Sequence, residues 1–240
     1  MDGNRRTPTH RRRQTRSARS GALRALAAAM LLMFLAGFLL GARIEWRGRF
    51  ADWFGSLTER FSFTAPRSNI PEEIELPPFI REELLTVNPY SRPGETLERV
   101  NAVVIHYVGN PGSTAEQNRS YFQGLADSGA TSASSNLIVG LEGETLLCVP
   151  LNEIAYCSNR RNSDTISIEF CHPDDTGKPT QATYESLVRL TAWLCGLYGL
   201  DPEDDVIRHY DVIGKECPRY YVQNEDAWLQ FRQDVSYAMK

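Results

Sequence analysis

At 240 residues, with 42% hydrophobic side chains, the chain has room for one or two domains and a sizeable core. Its formal charge of −4 hides a division: residues 1–49 carry eleven Arg against Asp2 and Glu45, so the remainder has a formal charge of −13. An acidic body of that kind repels phosphate backbones and excludes a nucleic-acid-binding role.

Residues 1–24 form a basic tail containing eight Arg, followed by an uncharged run from Ala25 to Ala42 rich in Leu, Ala, Phe and Met. Its 18 residues are at the short end of the roughly 17–25 that span a bilayer, and the Arg excess before it should stay cytoplasmic. A cleaved signal peptide is the competing reading, with Gly41-Ala42 near the cleavage point. The apolar run exceeds the ~7–15 residues usual for such peptides, which favours an uncleaved anchor. The rest of the chain is then expected outside the cytoplasm, attached to the cell membrane by a single pass. Five cysteines suit an oxidising compartment, and Cys157 with Cys171, flanking one loop, is the expected disulfide.

Residues 43–96 are read as a juxtamembrane segment with Trp46, Trp53 and Phe54, then a stalk with six prolines between 65 and 93. That stalk becomes an arm packed on a domain spanning 97–240. Ala102-Val103-Val104-Ile105 predicts a buried strand with His106 at its end. Ser113-Thr114-Ala115-Glu116 has the form of a helix capping box. Asn136 to Val139 and Thr145 to Val149, joined through Glu142-Gly143, predict a hairpin. Ile166 to Phe170 alternates as a strand, with Ser167 and Glu169 on one face and Ile166, Ile168 and Phe170 on the other. Thr180 should cap a long helix that Asp201-Pro202 stops, and a final amphipathic helix contains Trp228, Phe231 and Val235. Strands and helices intermix, so the fold class is α/β: a mixed sheet flanked by helices.

Chemistry concentrates in Val206 to Pro218. His209 and Cys217 lie eight residues apart with Gly214 and Lys215 between them, and imidazole and thiolate are ligands that zinc prefers. Gly214 and Pro218 make a folded-back loop rather than one helix. Lys215 beside such a pair is a ready stabiliser of negative charge. His106 alone reads as easily as a hydrogen-bonded strand-end residue. His172, three residues past Glu169, reads as a surface-loop histidine that could touch substrate. His10 lies in the basic tail and is solvated.

Val103-Val104-Ile105-His106-Tyr107, Ile166-Ser167-Ile168-Glu169 and His209-Tyr210-Asp211 through Lys215 and Cys217-Pro218 together resemble the zinc-dependent N-acetylmuramoyl-L-alanine amidases. These share a fold with phage lysozyme-type amidases and the peptidoglycan recognition proteins. The resemblance covers about 97–235. It implies zinc held by His106, His209 and Cys217, with Glu169 as the base and Lys215 as a catalytic cation. It also places Asn136 where many members carry a substrate-contacting histidine, and Ser135 where one branch carries a catalytic tyrosine. Arg219 stands where some members have an aspartate ligand, which leaves Cys217 as the third ligand. The expected activity is hydrolysis of the lactyl–L-alanine amide of peptidoglycan or a muramyl-peptide by a monomer anchored in the membrane. Two alternatives remain: a non-catalytic peptidoglycan-binding module of the same fold, and a thiol hydrolase using Cys217 and His209.

Overall fold

The computed structural model describes residues 68–240. The tail and the apolar run, and with them the expected anchor, lie outside the described residues. Among the described residues no helix is long and apolar enough to cross a membrane.

The sheet is mixed and six-stranded. Its strands are β1 (Ile80–Glu82), β2 (Ala102–Tyr107), β3 (Leu137–Val139), β4 (Thr145–Leu147), β5 (Thr165–Phe170) and β6 (Val206–Arg208), in the order β1-β4-β3-β5-β2-β6. The predicted hairpin is the antiparallel β3–β4 pair; the other neighbours are parallel. The β-branched run of β2 is central and buried, as parallel strands covered on both faces must be.

One face is apolar. Val103, Ile105, Ile166, Ile168 and Phe170 point towards helices α2 (Gln181–Tyr198) and α6 (Glu225–Ala238), which bring Leu187, Leu190, Leu194, Trp228, Phe231 and Val235. Each of these fully buried side chains contributes about 1.5–3 kcal/mol relative to exposure. The helix α2 starts on the Thr180 cap as expected. It ends earlier than the Asp201-Pro202 signal, at Gly199 (φ 65°), whose left-handed conformation turns the chain. Asp201 instead caps the short helix α3 (Pro202–Asp205), and a further short helix, α5 (Arg219–Gln223), leads into α6.

The opposite face is divided. Over β3 and β4 it is covered by helix α1 (Ala115–Ser128), with Phe122 against Ile138 and Leu146. Thr114 caps α1: its hydroxyl accepts from the Gln117 N–H and the Gln117 amide returns the bond. The capping box thus lies one residue later than predicted, because Thr114 and Gln117 have the same spacing as Ser113 and Glu116. Over β2 and β5 this face carries His106 and Glu169.

The arm ahead of residue 97 is part of the folded body. It supplies edge strand β1, and Asn69 bridges the Val100 backbone and the Tyr198 carbonyl. Arg92 makes a two-pronged ion pair with Glu153 at 2.8 and 2.9 Å.

Asn136 ties the hairpin to β5 from inside. Its carbonyl accepts from the Ser167 N–H and hydroxyl at 3.0 and 3.1 Å, and its amide donates to the Pro150 and Glu153 carbonyls. The side chain is fully buried, so it cannot meet a substrate as expected. Asn136→Ala would remove the side-chain acceptor of the buried Ser167 N–H and the donor to the half-buried Pro150 and Glu153 carbonyls, and each unmade buried bond costs about 1–3 kcal/mol. Urea unfolding should show a destabilisation of at least that size; an unchanged midpoint would mean that water replaces the amide without cost.

Candidate metal and catalytic site

Strand register builds the site. Across β2 and β5, His106 faces Glu169, and across β2 and β6, Ile105 faces Arg208. His209, the next residue, therefore emerges beside His106 at the start of helix α4 (His209–Ile213), with ring centroids 4.6 Å apart. Gly214, at φ 77°, reverses the chain after α4, and the Tyr210 N–H donates to the Cys217 carbonyl. The loop folds back as its glycine and proline suggested, bringing the Cys217 Sγ to 3.8 Å from His106 Nδ1.

One ligand atom from each of His106, His209 and Cys217 lies within 4.8 Å of the others, and all three residues are buried. The Nε2 atom of each ring has a side-chain partner. His106 Nε2 is 3.1 Å from the Ser158 hydroxyl, and His209 Nε2 is 2.7 Å from the Asn159 side-chain Oδ1. The His209 Nδ1 is buried without a hydrogen-bond partner. A buried orphan acceptor beside a second imidazole and a thiol fits a metal ion, with bonds of about 2.0–2.3 Å from nitrogen and sulfur.

Burial sets the charge of each group. It holds His106 well below the usual imidazole range, helped by the charges of His209 and Lys215, and it lowers His209 to about 4, with Lys215 adding to the effect. Both rings are neutral at pH 7, as ligands must be. Burial pushes the Cys217 thiol up to about 12, against the Tyr107 backbone hydrogen bond that favours the thiolate. It also raises Glu169 to about 7, while the Cys157 thiol and the Lys215 charge pull the other way. Lys215 itself is exposed.

The remaining expectations fare differently. Ser135 is fully buried, with its hydroxyl donating to the Leu137 and Ser167 carbonyls, so it takes no tyrosine-like role. His172 is buried rather than on a surface loop: its ring lies 5.0 Å from that of Tyr107, and Nδ1 meets the Asp174 carbonyl at 2.7 Å. The Cys157–Cys171 disulfide is absent, and all five cysteines are free. Cys157 Sγ is 3.7 Å from Glu169, whereas Cys171 Sγ is 3.6 Å from Asn118 on α1. Two residues along a strand are roughly 7 Å, beyond the ~3.8 Å between Cβ atoms that a disulfide needs. Sequence reasoning missed Cys157, Ser158 and Asn159 as neighbours of the site. Their only signal is position, just ahead of the strand that bears Glu169.

The sequence matches the N-acetylmuramoyl-L-alanine amidase family over residues 96–220, more than half of the chain. It is 33% identical over 175 residues to the N-acetylmuramoyl-L-alanine amidase BlyA of Bacillus subtilis (strain 168), covering 65% of this chain and 46% of that one. To the N-acetylmuramoyl-L-alanine amidase CwlL of Bacillus licheniformis it is 32% identical over 166 residues, covering 64% and 46%. The chain therefore aligns with about half the length of these curated relatives. Its fold is similar to that of a mutant endolysin from Bacillus subtilis, with a TM-score of 0.55 at 22% identity over 65% of this chain and 97% of that one. The matched segment contains His106, Glu169, His209, Lys215 and Cys217 within one sheet-centred domain, and the chain belongs to the N-acetylmuramoyl-L-alanine amidase family.

Proposed function

We propose that this chain is a zinc-dependent hydrolase that cleaves the amide between the N-acetylmuramoyl lactyl group and L-alanine in peptidoglycan or its muramyl-peptide fragments. The observation that carries this reading is the buried His106–His209–Cys217 cluster with Glu169 opposite His106 in the strand register. The substrate class comes from the names of the curated relatives.

His106, His209 and Cys217 would hold the ion, leaving a fourth position open, the arrangement of a catalytic rather than a structural site. Zinc bound there supplies Lewis acidity, bringing the pKa of water to about 7 and polarising the scissile carbonyl. Glu169, as carboxylate, takes the water's proton and delivers it to the departing amine of L-alanine. Burial raises Glu169 in the metal-free site, and a bound cation would pull it back towards the ionised form that accepts the proton. The exposed Lys215 ammonium, close enough to act on the charges of His106, His209 and Glu169, stabilises the oxyanion of the tetrahedral intermediate.

A thiol-hydrolase mechanism fits poorly. It needs a depressed thiol pKa and a basic imidazole, but burial drives Cys217 to about 12 and His209 to about 4. A binding-only role leaves the open cluster and the poised carboxylate unused. The Arg-flanked apolar run 25–42 supports a single-pass anchor with this domain outside the cytoplasm, and protease added to protoplasts should then remove the domain and spare the tail.

Purified wall digested with the chain should release glycan and free stem peptides beginning with L-alanine, identified by mass, and a zinc chelator should abolish the release. Release that resists the chelator would overturn the metal mechanism. Glu169→Gln should keep its zinc and lose about 10²–10⁴-fold in turnover, the usual range for a general acid–base. Lys215→Met should lose about 10²–10³-fold, as for an oxyanion donor.

Glu169 also has a cost for the fold. Its folded pKa of about 7 lies above the ordinary carboxylate value of 4.5, so between those pH values the folded state holds a proton that the unfolded state has released. Stability of the metal-free protein therefore falls as pH rises from about 4.5 to about 7, then levels. Metal-free Glu169→Gln should be more stable than the parent at pH 8, with the gap closing towards pH 4.5. Parallel stability curves would show that the carboxylate is not desolvated.

A further inference from the structure

Three consecutive side chains of one loop each hold a different member of the site. Cys157 Sγ lies 3.7 Å from Glu169 Oε1, Ser158 Oγ lies 3.1 Å from His106 Nε2, and Asn159 Oδ1 lies 2.7 Å from His209 Nε2. The loop is braced for this work. The Asn162 side-chain Oδ1 accepts from the backbone N–H groups of Cys157 and Ser158 at 3.2 and 2.6 Å. A 3₁₀ turn over Asn159–Arg161 follows, and the Thr165 hydroxyl and the Arg161–Asp164 ion pair fasten it to the first residue of β5. Asn159 has a φ of 52° and is the one non-glycine residue with a positive φ among the described residues. Asn tolerates that region better than most side chains, but the strain is still real.

We propose that Ser158 and Asn159 are positioning residues that fix the tautomer and ring orientation of the two metal-binding histidines, a role that rests on the zinc reading above. An amide carbonyl oxygen can only accept, so the 2.7 Å contact requires His209 to carry its proton on Nε2. The Nδ1 lone pair is then free for a metal ion, in keeping with that atom being buried without a hydrogen-bond partner. For His106 the Ser158 hydroxyl takes the same part. With the Nε2 proton donated to Oγ, Nδ1 presents its lone pair 3.8 Å from the Cys217 sulfur. One short turn thus sets both rings from the same side, and a histidine ligand whose other nitrogen is held in this way is more basic and better aimed. The strained Asn159 backbone is consistent with the proposal, because it aims the amide at His209.

The test uses the full chain, with zinc itself as the probe in competition with a chromophoric chelator. Asn159→Gly suits the positive φ and removes only the acceptor, so it should fold as well as the parent yet bind zinc about 10–100-fold more weakly, the usual effect of losing such a partner. Asn159→Asp keeps an acceptor oxygen and should restore affinity to at least the parental value. Ser158→Ala should weaken zinc binding in the same way as Asn159→Gly. In the metal-free chain, ¹⁵N shifts should show both His106 and His209 as Nε2–H tautomers, and in Asn159→Gly the His209 signal should lose that preference. Parental zinc affinity in Asn159→Gly, affinity in Asn159→Asp as weak as in Asn159→Gly, or an Nδ1–H tautomer at either histidine would overturn the positioning role and leave the amidase reading intact. A parent chain that binds no zinc would overturn both.

Discussion

The parallel pairing of β2 with β5 on one side and β6 on the other is the constraint on which the site depends. It sets His106 opposite Glu169, and because Ile105 faces Arg208, it brings His209 alongside as well. A slip of one residue would turn His106 into the face occupied by Ile105 and Ile168, since side chains alternate with a period of two. The apolar face guards against this by requiring Val103, Ile105, Ile166 and Ile168 to meet α2 and α6 together. Arg208 fastens the third strand at the position where it matters. Its guanidinium pairs with Asp211 at 3.0 Å and Glu225 at 2.7 Å, donates to the Tyr221 carbonyl and lies 5.3 Å over the Trp228 ring. A buried cation of this kind is weak evidence for net stability, because desolvation offsets the pairing. What it does achieve is geometric: the residue immediately before His209 can occupy only one place.

Desolvation then acts on every ionisable group of the cluster, always against charge. For the imidazoles that means neutrality and readiness to bind metal; for Glu169 it means a carboxyl poised near pH 7. For Cys217 the same physics works against ligation, since the thiol is held protonated until a cation arrives. Metal capture at this site would therefore expel a proton from sulfur, and the cation would offset a desolvation cost the fold has already incurred. A dication also favours the ionised form of a neighbouring carboxylate, so loading the site would move Glu169 towards the ionised state that the proposed base requires.

Those features were legible in the sequence that obey short periods or fixed spacings. The alternation of Ile166 to Phe170 placed Glu169 and Ser167 on the polar face, and the glycine and proline around Lys215 announced a loop that returns Cys217 towards His209. Side chains whose roles arise from distant contacts were not legible. The family resemblance puts Asn136 at a substrate-contacting position and His172 reads as a surface-loop residue; burial gives Asn136 a structural task and places His172 against Tyr107. Ser158 and Asn159 carry no spacing signal relative to the histidines, since 52 and 50 residues of chain separate each pair. The disulfide expectation failed for a related reason: two cysteines flanking a loop are near in sequence, but the strand carries Cys171 past the residue that Cys157 covers.

The arm ahead of residue 97 bears on the site through the same loop. The Ile154 N–H donates to the Glu95 carbonyl, the Leu97 N–H donates to the Asn152 carbonyl, and Thr96 bridges Glu153. Arg92 grips the Glu153 carboxylate, and Asn136 holds the backbone carbonyls of Pro150 and Glu153 from the other side. Residues 150–154 are thus clamped between the arm and the hairpin, four residues before Ser158. From there the chain has little freedom: the Tyr156 N–H is taken by the Ser134 hydroxyl, and Asn162 closes over Cys157 and Ser158. The segment read from its prolines as a stalk that becomes a packed arm is in this way part of the scaffold that aims the two imidazoles. It lies almost wholly outside the residues that match the amidase family, 96–220, so the orientation of this site draws on chain that the family resemblance does not reach.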